Sequence, residues 1–220
     1  MTARLGRPTH YRHRALAAES LRDTIAAYDL RAQDFRARLL PADMSPLMNR
    51  FAVRLPVEGI VLDAGCGPGR DLSAFASRGY RVFGIDLSQQ LLQLARSVEP
   101  RATVVAGDLR ELPFPNSSFD GTWYCASLLH LDDAGFRSAV REAFRVLKPG
   151  GCLFASLAAG RGESWSGPDG GQRWFKYHSA RSVKVALARE GFEISSVDVE
   201  PGVVRGTWVN AFAVKPRSLS

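Results

Sequence analysis

The residues best suited to chemistry sit in one short stretch, Gly59-Ile60-Val61-Leu62-Asp63-Ala64-Gly65-Cys66-Gly67-Pro68-Gly69-Arg70-Asp71-Leu72. Glycine at three alternate positions lets a backbone turn sharply and approach a ligand with no Cβ in the way. The apolar run before the glycines reads as a strand. The pattern behind them reads as a helix, whose unpaired N–H groups and positive dipole end face the same space. Such a corner receives a ligand. Asp86 closes the run Arg81-Val82-Phe83-Gly84-Ile85-Asp86, where a parallel strand beside the first would end, and an acid there can accept from both hydroxyls of a ribose. Asp108 follows a strand over Ala102 to Ala106; its carboxylate can accept from an exocyclic amine while the Leu109 N–H donates to a ring nitrogen. The spacing Gly65-x-Gly67-x-Gly69 differs from the G-x-G-x-x-G of dinucleotide sites, and Asp63 beside it disfavours a pyrophosphate and favours a cationic amino-acid moiety.

The elements that must hold these residues alternate between the two periods. Asp71 to Gly79 and a segment capped by Ser88 read as helices between the three strands. Phe119 to Cys125 is a fourth strand, ending at Cys125-Ala126-Ser127-Leu128-Leu129-His130. A helix over Ala134 to Leu147 is closed by Lys148-Pro149-Gly150-Gly151, and Cys152 to Leu157 is a fifth strand. The alternation predicts an α/β fold with a doubly wound, largely parallel sheet. Ala158 to Gln172 reads as a long loop at a strand's C-terminal edge, where function concentrates. Ser179 caps a helix to about Glu190, with His178 before it as a structural residue, and Val197 to Glu200 and Thr207 to Val214 alternate as two final strands. Upstream, residues 1–14 read as a mobile basic arm and 15–55 as amphipathic helices that pack on the sheet or cover a ligand, with Ser45 as a cap ahead of Pro46. The core spans 56–220.

Composition bounds the partners. At 220 residues, 45% hydrophobic and 23% charged, the chain can bury one sizeable core, and no apolar run approaches a membrane span. The expected location is cytoplasmic, as a monomer or homodimer. The net charge of +7 admits nucleic acid as a partner, yet the excess is arginine scattered along the chain, so a small molecule ranks ahead of it. Cys66, Cys125 and Cys152 have no metal-ligand spacing and read as buried thiols; no metal is expected.

The segments VLDAGCGPGRDL, GIDLS, AGDLRELPFPNSSFD, WYCASLLHL and REAFRVLKPGG resemble those of the class I S-adenosylmethionine-dependent methyltransferases, closely the type 11 group, from about Gly59 to Lys215. The resemblance implies a Rossmann-like seven-stranded sheet whose last two strands form an antiparallel edge hairpin, with N-terminal lid helices. It implies S-adenosylmethionine as cofactor, with its methionine part on the turn of Asp63, Gly65, Cys66, Gly67 and Gly69, its ribose on Asp86 beside Leu87, and its adenine on Asp108 and Leu109. Cys125 would lie beside the transferable methyl. Tyr28, within YDLRAQDF, resembles the family's N-terminal tyrosine, and AAGRGES with RWFKYHS nominates Glu163, Arg173, Phe175 and Tyr177 for the acceptor, Arg173 alternatively clamping Glu163; Arg205 and Trp208 are further candidates.

A sulfonium methyl is already activated, so the work left is in-line alignment of an O, N or S acceptor and exclusion of water. A base is needed only for an acceptor that must lose a proton. His130 is the candidate, against a role in packing and hydrogen bonding. Two rivals remain: a tRNA methyltransferase of wobble-uridine type, which RWFKYHS and RGTWVNAFAVK also resemble, and a non-catalytic cofactor-binding module.

Overall fold

A computed structural model describes residues 9–167, 171–203 and 206–217. Nine strands and seven helices form among them. The main sheet has the order β3-β2-β1-β4-β5-β9-β8, with β1 (Ile60–Ala64), β2 (Arg81–Asp86), β3 (Thr103–Ala106), β4 (Phe119–Cys125) and β5 (Leu147–Ala158) parallel. β9 (Thr207–Val214) runs antiparallel to β5 and to the edge strand β8 (Glu193–Pro201). The chain order reverses at β1 and β4, and this is where a doubly wound sheet opens a crevice at its C-terminal edge. The expected fold class holds, including the antiparallel edge hairpin.

Both sheet faces are covered, which is why the central strands read as nearly continuous apolar runs. On one face α6 (Asp133–Val146) and α7 (Ala180–Arg189) bury Phe136, Val140, Val146, Val183 and Leu187 with Leu62, Tyr124 and Leu153. On the other, α3 (Ser45–Ala52) and α4 (Arg70–Ala76) bury Met48, Phe51, Leu72 and Phe75 around Trp123, which stacks on Phe154 at 4.0 Å between ring centres. α5 (Gln89–Val98) begins at Ser88, whose Oγ accepts from the Leu91 N–H, and the Ser179 cap of α7 is likewise formed.

Four local expectations are corrected. The first helix, α1 (Thr9–Leu30), begins at Thr9 and so takes in part of the stretch read as an arm; α2 (Ala32–Leu39) follows it directly. Ser45 is the first residue of α3 and caps nothing with its side chain; its own N–H is held by Asp43 Oδ1 at 2.8 Å. Lys148 to Gly151 belong to an irregular start of β5, where Phe119 pairs Leu147 but Gly121 already pairs Cys152. The long loop holds β6 (Glu163–Ser166), the first strand of a hairpin whose second strand, β7 (Arg173–Lys176), follows directly after the loop. Alternation over only four residues is too short a signal to separate a hairpin from a loop. Arg205 lies outside the described residues.

Candidate functional site

A cavity of about 520 Å³ runs along the C-terminal edge of the sheet. Its floor is the glycine turn, Asp86, Leu87, Asp108, Leu109, Cys125 and Ser127, and its roof is α1 through Leu21, Thr24, Ile25 and Tyr28 with Arg173 and Phe175 of β7. Most of the site residues expected from the sequence converge here.

The three glycines of the turn answer to three different constraints. A Cβ on Gly65 would lie 2.3 Å from Ser127 Cβ, so this glycine lets the ends of β1 and β4 meet. A Cβ on Gly69 would lie 2.9 Å from Ala95 Cα, so this one seats α4 against α5. Only at Gly67 is the space open, with nothing within 4 Å, and its N–H donates to Asp86 Oδ2 at 2.9 Å. The Ser88 N–H holds Asp86 Oδ1 at 2.9 Å, which fixes the carboxylate at the strand end. Burial raises the pKa of Asp86 against these hydrogen bonds.

Asp63 is buried under the turn and its Oδ2 has no partner. Burial first, then the nearby Asp71, raise its pKa well above the ordinary carboxylate range. Arg70, the one cation beside it among the described residues, is spent on Asp71, with Nε 2.6 Å from Oδ1, and it also donates to Cys125 Sγ at 3.3 Å. Two acids therefore share one guanidinium, and a ligand cation at the turn would supply the missing charge. These residues fit the ammonium of S-adenosylmethionine, with the open face of Gly67 and the fixed Asp86 fitting its neighbouring groups.

Not every expected contact survives. Cys66 turns its side chain into the core beneath Gly84 and can serve a ligand only through its backbone. Asp108 is clamped by Arg110, which donates from Nε to both oxygens at 2.9 and 3.0 Å and from Nη2 at 2.6 Å. Although burial alone pulls its pKa up, these bonds hold Asp108 below its usual value, an ionised carboxylate at the cavity wall.

The roof carries a second cluster. Tyr28 Oη lies 2.9 Å from His130 Nε2 and accepts from Arg173 Nη1 at 3.1 Å. His130 Nδ1 lies 2.7 Å from the Trp174 carbonyl, an acceptor only, so Nδ1 carries the proton and Nε2 accepts from Tyr28. Burial pushes the His130 pKa down to about 4. Both ring nitrogens are occupied and the imidazole is neutral and weakly basic in this arrangement, which favours the hydrogen-bonding reading of His130 over the base. Burial pushes the Cys125 thiol up to about 12 and raises the Tyr28 hydroxyl, so neither ionises near neutrality.

Arg173 is the unusual member. Its guanidinium lies 5.2, 4.7 and 5.0 Å from the ring centres of Tyr28, Phe35 and Phe175, its Nε is buried without a partner, and among the described residues it forms no ion pair. The expected clamp with Glu163 does not form. Glu163 pairs Lys176 across the hairpin whereas Arg173 pairs Ser166 at its other end, and the Glu163 carboxylate is 59% exposed, 3.9 Å from Lys176 Nζ. Tyr177 is also away from the cavity, its hydroxyl 3.0 Å from Ser164 Oγ. Trp208 lines the cavity as expected. His178 is buried beside Phe136, in keeping with its structural reading.

Sequence reasoning missed Arg50, Ser156, Glu200 and Asn210, which line the far end of the cavity, and Thr24, whose Oγ1 accepts from the Trp174 N–H at 3.0 Å and ties α1 to β7. The available signal was a polar residue inside an apolar strand, as at Ser156 and Asn210.

Residues 61–151 match a family model described as a methyltransferase domain. Those residues thus carry a methyltransferase domain, and the fold is that of the class I S-adenosylmethionine-dependent methyltransferases. Relatives of the chain include the malonyl-[acyl-carrier protein] O-methyltransferase of Pseudescherichia vulneris, 33% identical over 77% of this chain and 65% of that protein. The enzyme of the same name from Erwinia pyrifoliae is 39% identical over 46% of this chain and 38% of that protein, so the chain spans less than two thirds of the length of either. Among solved structures, 1,6-didemethyltoxoflavin-N1-methyltransferase of Burkholderia thailandensis, with 1,6-didemethyltoxoflavin and S-adenosylhomocysteine bound, superposes with a TM-score of 0.70 at 22% identity, covering 98% of this chain and 93% of that one. A methyltransferase from Methanosarcina mazei does so with a TM-score of 0.72 at 22% identity, over 80% and 100%. This class I methyltransferase fold therefore comes with a glycine turn, a fixed strand-end acid and a covered cavity.

Proposed function

We propose that the chain transfers the methyl group of S-adenosylmethionine to a carboxylate oxygen of a small-molecule acceptor. The observation that carries this reading is Arg173, a cation lining the cavity with a buried unpartnered Nε and no carboxylate of its own among the described residues. A guanidinium presents a planar fork that matches a carboxylate. The absence of a neutral-range base among Tyr28, Cys125 and His130 supports the same acceptor, because a carboxylate arrives ionised and has no proton to lose. The O-methyltransferase names of the malonyl-carrier relatives agree with it.

In this reading Asp63 and the Gly65 to Gly69 turn hold the donor's amino-acid end and Asp86 its ribose. Bound there, S-adenosylmethionine supplies an electrophilic sulfonium methyl. Arg173 grips the acceptor carboxylate and leaves one oxygen directed along the floor toward Cys125, for in-line displacement. Tyr28, oriented by His130, fixes Arg173 in turn, while α1 and β7 keep water out.

The test is incubation with isotopically labelled methyl donor and, in separate arms, malonyl thioesters, a panel of amines and phenols, and total tRNA. Label released by mild alkali from the malonyl arm is the expected result. Label in tRNA, or only in amines or phenols, overturns the carboxylate reading.

A further inference from the structure

The cavity continues well past the strand end where transfer would take place. Cys125 pairs Ser156, Ser156 pairs Asn210, and Asn210 pairs Asp198, so one row of residues crosses β4, β5, β9 and β8. Adjacent strands are about 4.8 Å apart, which puts Asn210 about 10 Å along the floor from Cys125. A carboxylate held at Arg173 does not span that distance by itself.

The far end is polar where its surroundings are not. Ser156 and Asn210 are 5% and 3% exposed among Phe154, Ala155, Ala211 and Phe212. Polar groups at such positions are costly unless bonded. Here Ser156 Oγ donates to Asn210 Oδ1 at 2.7 Å, Asn210 Nδ2 donates to Glu200 Oε2 at 2.9 Å, and Arg50 Nη1 donates to Glu200 Oε1 at 3.4 Å. Arg50 is itself pinned by Asp198 at 2.7 Å and Ser196 at 3.2 Å, with its guanidinium 4.4 Å from the Phe212 ring centre. The chain of bonds fixes the Asn210 amide and balances the Glu200 charge. Asn210 Nδ2 keeps a second N–H and Oδ1 a second lone pair, and the residue lines the cavity. A rigid, charge-balanced edge with one donor and one acceptor suits a neutral partner of the same pattern.

We infer that Asn210, with Ser156 and Glu200 behind it, is a second recognition site that binds an uncharged amide-bearing arm of the acceptor. The acceptor is thus elongated, with its reacting end under Arg173 and its arm leaving over β5 and β9. The inference rests on the methyl-acceptor reading of the cavity, and its test has a separate binding arm.

The kinetic arm compares malonyl thioesters of N-acetylcysteamine and of pentanethiol, equal in length but with and without an amide. The amide ester is expected to have a KM about tenfold lower at unchanged kcat, the worth of one or two hydrogen bonds. Asn210→Ala and Glu200→Gln should erase that preference while S-adenosylhomocysteine affinity, read by calorimetry, stays the same. Glu200→Gln carries the test if Asn210→Ala melts too low to assay. The binding arm uses pantetheine with the S-adenosylhomocysteine-saturated protein, followed by ligand-observed NMR. Pantetheine binding that is lost in the variants supports the site even where neither thioester is methylated, a result that would sink only the carboxylate reading. No pantetheine binding to the native protein, or equal binding to the variants, overturns the inference.

Discussion

The two halves of the cavity are built by opposite strategies. On the donor side the key contacts are short in sequence: Asp86 is held by Gly67 and Ser88, and Asp63 shares Arg70 with Asp71. On the acceptor side they join distant elements, Tyr28 to His130 and to Arg173, Thr24 to Trp174, Arg50 to Glu200. A methyl donor is one molecule with one shape and can be met by a contiguous motif on the rigid sheet edge. The acceptor wall is assembled only when α1, α3, β7 and the β8–β9 hairpin close over that edge.

If the contrast is right, damage to the donor half should be global and damage to the acceptor half selective. The largest effect is expected at Gly65→Val. Its φ of +83 and the 2.3 Å approach to Ser127 should cost at least about 3 kcal/mol and abolish S-adenosylhomocysteine binding, seen by thermal melting and calorimetry. Gly67→Ala, facing open space at a φ of +52, should cost only about 1–2 kcal/mol and keep the fold.

Next in size is Arg173→Met. Loss of a charged hydrogen-bonding partner, about 1.5–3 kcal/mol, should lower kcat/KM for a carboxylate acceptor about 10- to 100-fold and leave S-adenosylhomocysteine affinity within about twofold. A matching loss of cofactor affinity would collapse the distinction between the halves.

The pH dependence sharpens the contrast. His130 and His178 both have pKa values lowered by burial to about 4, against about 6.5 in an unfolded chain. The unfolded state therefore binds protons more readily between these values. The contribution of these two histidines to stability is complete above about pH 6.5 and is lost as the pH drops toward 4. Activity should be level from about pH 6.5 to 9. A rate that instead rises through pH 7 on a group lost in His130→Asn would restore that histidine as a base. The smallest effect is expected for Glu163→Ala, within about twofold in every measurement, since its carboxylate lies outside the cavity.

The same contrast explains what could be read before the fold was known. Asp63, Gly65, Gly67 and Asp86 were legible because strand ends and turns leave signals at fixed short spacing, and a parallel sheet places successive strand ends side by side. Arg173 was nominated, yet its partner was not. Glu163 and Arg173 sit at opposite ends of a four-residue ladder, and nothing local in the sequence sets that register. Asp108 lines the cavity, but the Arg110 clamp two residues on was not read from the spacing. Asn210 and Ser156 were passed over because each is one polar residue in a strand otherwise read for its apolar period.

The stitch between α1 and β7 bears on how such a protein changes its chemistry over evolutionary time. Thr24, Tyr28, Arg173 and the Trp174 N–H come from two segments that contribute no strand to the seven-stranded sheet. Those segments can drift together, exchanging one acceptor for another, while the sheet edge that grips the donor is left as it was.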